Sequence, residues 1–348
     1  MLPYHIASEA FCLTSVLLPI VASAAFTNPT INILQPTVKN SSVSALPSSP
    51  VDPRFRKEIA GYNHIPVSRT SLMMTFVNEM SKLALLDWNG QVGSFRSTAF
   101  PGYSDVAIFL NVKSPARTIQ TKIAVWGMFS AFVNTVVANR FKACDVDLYW
   151  ADVKVARIRV RPNPATSSQS TIGEQGSMNQ SLVQVLPTLP RLDDAINNLS
   201  NGSPKLTNGT STLTEPAFEV DCEFLEDADT LTDTEVFTTV FSVLRNLAPV
   251  PKTKLVDEGF ETGMRTVDAK IQFQGPGEIP SYPPGPPYYQ YQWVIRAVHA
   301  MPIYMLHQRR FAELGVGIVV DGRRLGRGQI LKGEMGSRGV AGTNVSVF

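Results

Sequence analysis

Asp145-Val146-Asp147 is a paired-carboxylate motif in this 348-residue chain. On a strand, alternate side chains share a face, so both carboxylates would point one way and could hold a divalent ion or activate a water. A second group is basic: Arg309, Arg310, Arg323, Arg324 and Arg327 fall close together in sequence and form a candidate anion-binding site for phosphate or a polyanion. Phe218 to Glu235 carries eight carboxylates and no Lys or Arg, so an acidic face able to attract those arginines is expected. His299 and His307 share one predicted helix two turns apart, and His64 stands alone. No HExxH or carboxylate at ligand spacing accompanies them, so a surface or capping role is expected, with no metal and no cofactor.

Cys144 and Cys222 admit two readings. An oxidising compartment would permit a disulfide between them, whereas aliphatic residues at the matching places elsewhere in the chain favour two buried thiols. Tyr288, Tyr289, Tyr291 and Trp293 follow a Pro-rich stretch and could present rings to a carbohydrate. GxSxG, P-loop, CxxC and complete GxGxxG motifs are all missing. A dispersed Ser-His-Asp arrangement leaves no such trace, so the balance leans away from an enzyme without closing that door.

The elements that must position these residues are written twice. Arg140-Phe141 matches Arg310-Phe311, and "VDLYWADVKVARIRV" then meets "VGIVVDGRRLGRGQI" without a gap. Each is strand, turn, strand, with Asp321-Gly322 a type I′ turn and Ala151-Asp152 in the same place. Upstream, two long apolar helices match, with Gly127 and Ser130 against Ala297 and Ala300. Small residues at this spacing predict close helix packing. Pro302 predicts a kink. Earlier still, Asp105 and Asp268 begin matching strands, and helices capped by Ser68 and by Thr232 with Glu235 precede them. Cys144 then matches Leu314, Cys222 matches Ile59, and Gly315 and Gly317 stand where the aspartate pair does. The expected fold is α+β: two copies of a β-α-β-α-β-β unit packed as a pseudo-two-fold pair.

The domain plan follows. Residues 1–24 read as a signal peptide, an apolar run too short to span a bilayer before Ala22-Ser23-Ala24. Residues 25–52 form a disordered N-terminal segment, 53–160 the first unit, 161–214 a linker, 215–331 the second unit and 332–348 a flexible tail. N-x-[ST] sequons begin at Asn40, Asn179, Asn198, Asn201, Asn208 and Asn344, all outside the two units, as glycans require exposed chain. With 31 Lys and Arg against 29 Asp and Glu, net charge is +2, which offers no bulk attraction to nucleic acid. No later run predicts a membrane span. Secretion to an extracellular location is expected.

Trp293 to Gly326, "WVIRAVHAMPIYMLHQRRFAELGVGIVVDGRRLG", resembles a group of secreted proteins of filamentous ascomycete fungi, and Ile123 to Phe129 is similar in flavour. The resemblance rests on apolar spacing, Arg310-Phe311 and the Asp321-Gly322 turn, and it carries no catalytic residues. It implies a fungal extracellular protein, an effector or a wall-associated factor. The leading expectation is a non-enzymatic binding protein for an extracellular protein or glycan. The alternatives are a hydrolase with a dispersed site, drawing on Asp145 and Asp147, and a carbohydrate-binding protein using the tyrosines.

Overall fold

The computed structural model describes residues 44–45, 50–163 and 216–333, apart from 98–99, 114, 116, 265, 280–281 and 283–284. The expected signal peptide, all six sequons, most of the linker and most of the tail lie outside the described residues.

A short strand β1 (Ser44–Ala45) precedes β2 (Phe55–Pro66), α1 (Arg69–Leu85), β3 (Gln91–Gly93), β4 (Phe95–Arg96), β5 (Val106–Val112) and β6 (Thr118–Gln120). Helix α2 (Thr121–Phe132) runs on into a π turn at Val133–Val137 before the hairpin β7 (Lys142–Trp150) and β8 (Val153–Pro162). The later part comprises β9 (Phe218–Phe224), α3 (Asp233–Leu247), β10 (Phe260–Gly263), β11 (Ala269–Phe273), α4 (Tyr291–His307), β12 (Leu314–Val320) and β13 (Arg323–Lys332). Local chemistry accounts for the boundaries. The Ser68 side chain accepts from Ser71 N–H at the start of α1. Thr232 and Glu235 satisfy each other's backbone N–H groups in a full capping box at α3. Pro302 sits inside α4 without ending it. Strand β8 extends to Pro162 and β13 to Lys332, each slightly beyond the expected unit.

The architecture is mixed α+β. One sheet has the order β2-β7-β8-β5-β4, and the other runs β9-β12-β13-β11-β10, with β1 added parallel to the outer edge of β10. A separate ribbon pairs β3 with β6. Helices α1 and α2 pack on β5 and β7, and α3 and α4 on β11 and β12. The helices then pack on one another, α1 against α3 and α4, and α2 against α3. Across the molecule the order is therefore sheet, helix pair, helix pair, sheet. This explains why α1 is buried on more than one face. Leu72, Met73, Met74, Phe76, Val77 and Met80 are all fully enclosed.

Backbone details recur between the two parts. Val67 N–H donates to Phe141 O and Leu231 N–H to Phe311 O, both at 3.1 Å. Asn139 and Arg309, each just past a long helix, share a left-handed φ of 52°. The hairpin turns have φ 46° and 65° at Ala151-Asp152, and 50° and 73° at Asp321-Gly322, as a type I′ turn requires. A register shift falls after Leu148 in one hairpin and after Ile318 in the other. Thr121 and Lys122 N–H donate to Gly90 O and Trp88 O at 2.9 and 3.2 Å. Tyr291 and Gln292 N–H donate to Lys254 O and Lys252 O, both at 3.1 Å.

Three phenylalanines join the helix pairs. Phe241 of α3 stacks on Phe132 of α2, with centroids 4.0 Å apart and planes inclined by 15°. Phe76 of α1 meets Phe132 edge-on at 5.5 Å and Phe241 at 5.8 Å. At the N-termini of α1 and α3, Arg69 pairs with Asp233 at 2.7 Å. Small residues set helix-to-sheet distance: a Cβ on Gly127 would come within 2.5 Å of Leu148 on β7, so α2 lies close against its sheet. Truncating Phe241 to Ala should cost about 3–5 kcal/mol, the usual loss for a buried aromatic ring. Equilibrium denaturation in urea would read this as a lowered midpoint, and an unchanged midpoint would contradict a shared core across the helix layers.

Candidate functional site

The paired aspartates do share one face of β7, but that face is an ion-pair ladder. Arg157 on β8 grips Asp147 through Nε and Nη2 at 2.5 and 2.8 Å, and Lys154 binds the same carboxylate. Arg161 pairs with Asp145, and Arg157 reaches it at 3.5 Å. The Arg157 hydrogen bonds hold the Asp147 carboxyl below its ordinary range, with Lys154 adding to the effect. Both carboxylates are engaged by cations on β8, so the pair ties the two strands together across the sheet surface.

The five arginines do not converge. Arg309 and Arg310 precede β12, whereas Arg323 and Arg324 follow its far end, about 20 Å away along a seven-residue strand. Arg309 occupies the left-handed position that terminates α4. The Arg310 guanidinium lies 4.5 Å over the Phe224 ring, just as Arg140 covers Tyr62 at 5.5 Å. Arg323 donates to Pro286 O, and Arg324 pairs with Asp221 at 2.5 Å. That last pair joins the basic and acidic stretches as their charges predicted. Arg327 is half-buried on β13, across from Gly317.

Both cysteines are free thiols, so the disulfide reading is corrected. Cys144 lies on β7 of one sheet and Cys222 on β9 of the other, with the helix layers between the sheets. Each fills an inward strand position, and burial pushes both thiols up to about 12. Of the aromatic group, Tyr289, Tyr291 and Trp293 are buried, leaving Tyr288 exposed. Tyr289 lies against Gly326, where a Cβ would come within 2.5 Å of its ring, and Trp293 stacks on Phe218. These rings fill the core and form no platform. His64 and His307 are exposed, while His299 faces the interior.

A cavity of about 400 Å³ opens at the end of the first sheet, where sequence reasoning found nothing. Its lining comes from separate segments: Arg54 ahead of β2, Gln91 on β3, Thr118 and Gln120 on β6, Lys122 in α2 and Trp150 closing β7. Ile119, Ile123 and Val155 supply apolar wall. The turn after β7 fixes the Arg54 backbone, since Ala151 N–H donates to Arg54 O at 2.9 Å. The N–H of Lys122 is held by Trp88 O. Arg54 lies 4.5 Å over the indole of Trp150, and the Lys122 ammonium lies 5.4 Å from the same ring. Asp52 accepts from Arg54 Nε at 3.0 Å and from Nη2 at 2.8 Å, and these bonds hold its carboxyl down to about 2. The site thus combines a neutralised guanidinium, an ammonium, two amides, a hydroxyl and an aromatic ring. One sequence signal did exist: Lys122 sits in a helical first turn, where the dipole disfavours a cation.

Comparison with protein-family models, curated proteins and solved structures finds no match for this chain. Among the described residues, no helix is long and apolar enough to cross a membrane.

Among the described residues, His299 is the histidine whose surroundings shift it most. It is 0% exposed on α4, and neither ring nitrogen has a hydrogen-bond partner. Burial pushes it down to about 3, and Lys82 on α1 adds to that effect. The folded protein therefore favours neutral imidazole, and stability is unaffected above the ordinary pKa of 6.5. As pH falls from there toward 3, the unfolded chain takes up the proton and stability is lost, by about 2 kcal/mol at pH 5. His299→Phe, with the residue that α2 carries at its matching position, should remove this part of the acid sensitivity in denaturation curves collected from pH 7 to 4. Equal pH slopes for the two proteins would refute it.

Proposed function

We propose that this chain is a secreted, non-enzymatic binding protein whose ligand enters the Arg54–Lys122–Trp150 cavity. The scaffold is two copies of one β-α-β-α-β-β unit, each extended by a short edge strand (β4 or β10), paired about a pseudo-two-fold axis. The shared strand order, the matched turns and the repeated hydrogen bonds support that pairing. The contact between Arg69 and Asp233, which begin α1 and α3, is what a nearby axis would produce. Secretion and a fungal, wall-associated or effector role are supported by the apolar leader, the sequons and the resemblance described above.

One observation carries the binding reading: the side chains around the cavity differ from those at the equivalent place in the other half. Ala217 stands where Arg54 does, each accepting through its carbonyl from the equivalent hairpin turn. Gln292 stands where Lys122 does, each donating to the preceding loop. At the place of Ile123 the second half has Trp293, stacked on Phe218 at 5.6 Å and donating through Nε1 to Tyr288 O at 3.2 Å. A common backbone thus carries Arg54 and Lys122 around a cavity on one side, and Trp293 with the Arg296 guanidinium 5.1 Å over its ring on the other. Scaffolding alone gives no reason for that difference.

Ile123→Trp copies the plug into the open half, which has an equivalent acceptor at Thr118 O. The full chain and this variant would be screened against glycans, organic acids and peptides, with recovered ligands checked for chemical change. Ligands should bind the parent, fail on the variant and return intact. Turnover of a bound ligand, or binding that survives the plug, would overturn the proposal. Gln91→Ala with Gln120→Ala provides a second route to the same answer if the plugged variant folds poorly.

A further inference from the structure

Resting on that reading, we infer that the cavity recognises a carboxylate-bearing sugar, a uronic acid within an oligosaccharide. Charge at the mouth selects the ligand first. The Arg54 guanidinium spends its Nε–Nη2 edge on Asp52, at 3.0 and 2.8 Å, and the Asp52 carboxylate offsets its charge, which disfavours a phosphate dianion. Among the described residues, no carboxylate lies within ion-pair distance of the Lys122 ammonium, which rests over the Trp150 ring. Arg54, Asp52 and Lys122 together leave one net positive charge at the mouth, matched to a monoanion.

The neutral groups narrow the class further. Gln91, Gln120 and Thr118 each both donate and accept, as vicinal hydroxyls require of their partners. Ile119, Ile123 and Val155 beside the Trp150 ring offer an apolar wall for the C–H face of a pyranose. A free peptide terminus would match the ammonium equally well. Its amides can also pair with these side chains, so the apolar wall beside Trp150 carries the preference for a sugar ring, and a peptide is one arm of the test. About 400 Å³ is within the range of roughly 300–1,000 Å³ found for small-molecule pockets and accommodates one sugar ring with part of its neighbour. The second half differs at the same place: Ala217 and Gln292 replace Arg54 and Lys122, Trp293 stands where Ile123 does, and the Arg296 guanidinium lies 5.1 Å over that indole.

The test uses the full chain and calorimetric titration with a galacturonic acid trimer, the matched neutral galactose trimer, inorganic phosphate and a short peptide with a free carboxylate. The acidic trimer should bind and weaken with added salt, as an exposed charge contact must. The neutral trimer should bind at least about tenfold more weakly, and Lys122→Gln should lose about tenfold for the acidic trimer, the size of one charged contact. Ile123→Trp should abolish binding. If the neutral trimer binds equally well, or phosphate or the peptide binds in preference, and Ile123→Trp removes that binding, the uronic-acid assignment falls and the binding function stands. If the acidic trimer binds parent and plugged variant alike, both fall. If none of the four ligands binds the parent, the assignment falls alone.

Discussion

The stack of Phe241 on Phe132, with Phe76 set edge-on against both, is the contact through which the two parts of this molecule become one core. Each sheet covers one side of its helix pair and leaves the other side apolar. Water would face Met73, Phe76, Phe132 and Phe241 if either helix pair stood alone. Burying such side chains contributes roughly 1.5–3 kcal/mol each, so association of the two helix layers follows from the same sequence that builds each layer. It also decides where chemistry can occur. A packed seam has no room for solvent or ligand, and the polar groups caught in it, such as His299, remain neutral and unpartnered.

Function is therefore pushed outward, to the ends of the sheets, where the packing constraint relaxes. There the two parts differ in side chains while repeating each other in backbone. Glycine and aromatic residues trade places to fill space on one side: Phe273 covers Gly328, and Tyr289 covers Gly326. On the other side the equivalent region carries Arg54, Lys122 and Trp150 around an open cavity. The outer sheet face shows the same economy. Arg157 and Arg161 neutralise Asp145 and Asp147, which keeps a charged surface soluble without creating a reactive one.

Much of the fold was legible before any coordinates. The capping box at Thr232, the turn at Asp321-Gly322 and the long apolar helices were read from spacing, and each appears in the structure, whereas the expected β-α-β-α-β-β order lacks the short strands β4 and β10. The short ribbon of β3 and β6 was not foreseen, because three-residue strands have too little periodicity to register. The functional candidates fared differently. Arginines that are near in sequence lie at opposite ends of a strand, and of the tyrosines considered for the surface Tyr289 and Tyr291 fill the core while Tyr288 is exposed. The cavity residues were invisible because they come from distant segments and no two of them form a motif. Setting Arg54 against Ala217 and Lys122 against Gln292 would have exposed the asymmetry.

Residue order alone was sufficient for whatever depends on near neighbours: where helices begin, which dipeptides reverse the chain, which strand positions face inward. Those preferences act over a few bonds, and a linear reading captures them. Which remote side chains meet was settled by sheet register and helix packing. These placed Cys144 and Cys222 in separate sheets, enclosed His299, and gathered Arg54, Gln91, Lys122 and Trp150 around one opening. Such encounters depend on the sum of many weak contacts across the whole core, and no short stretch of chain carries that sum.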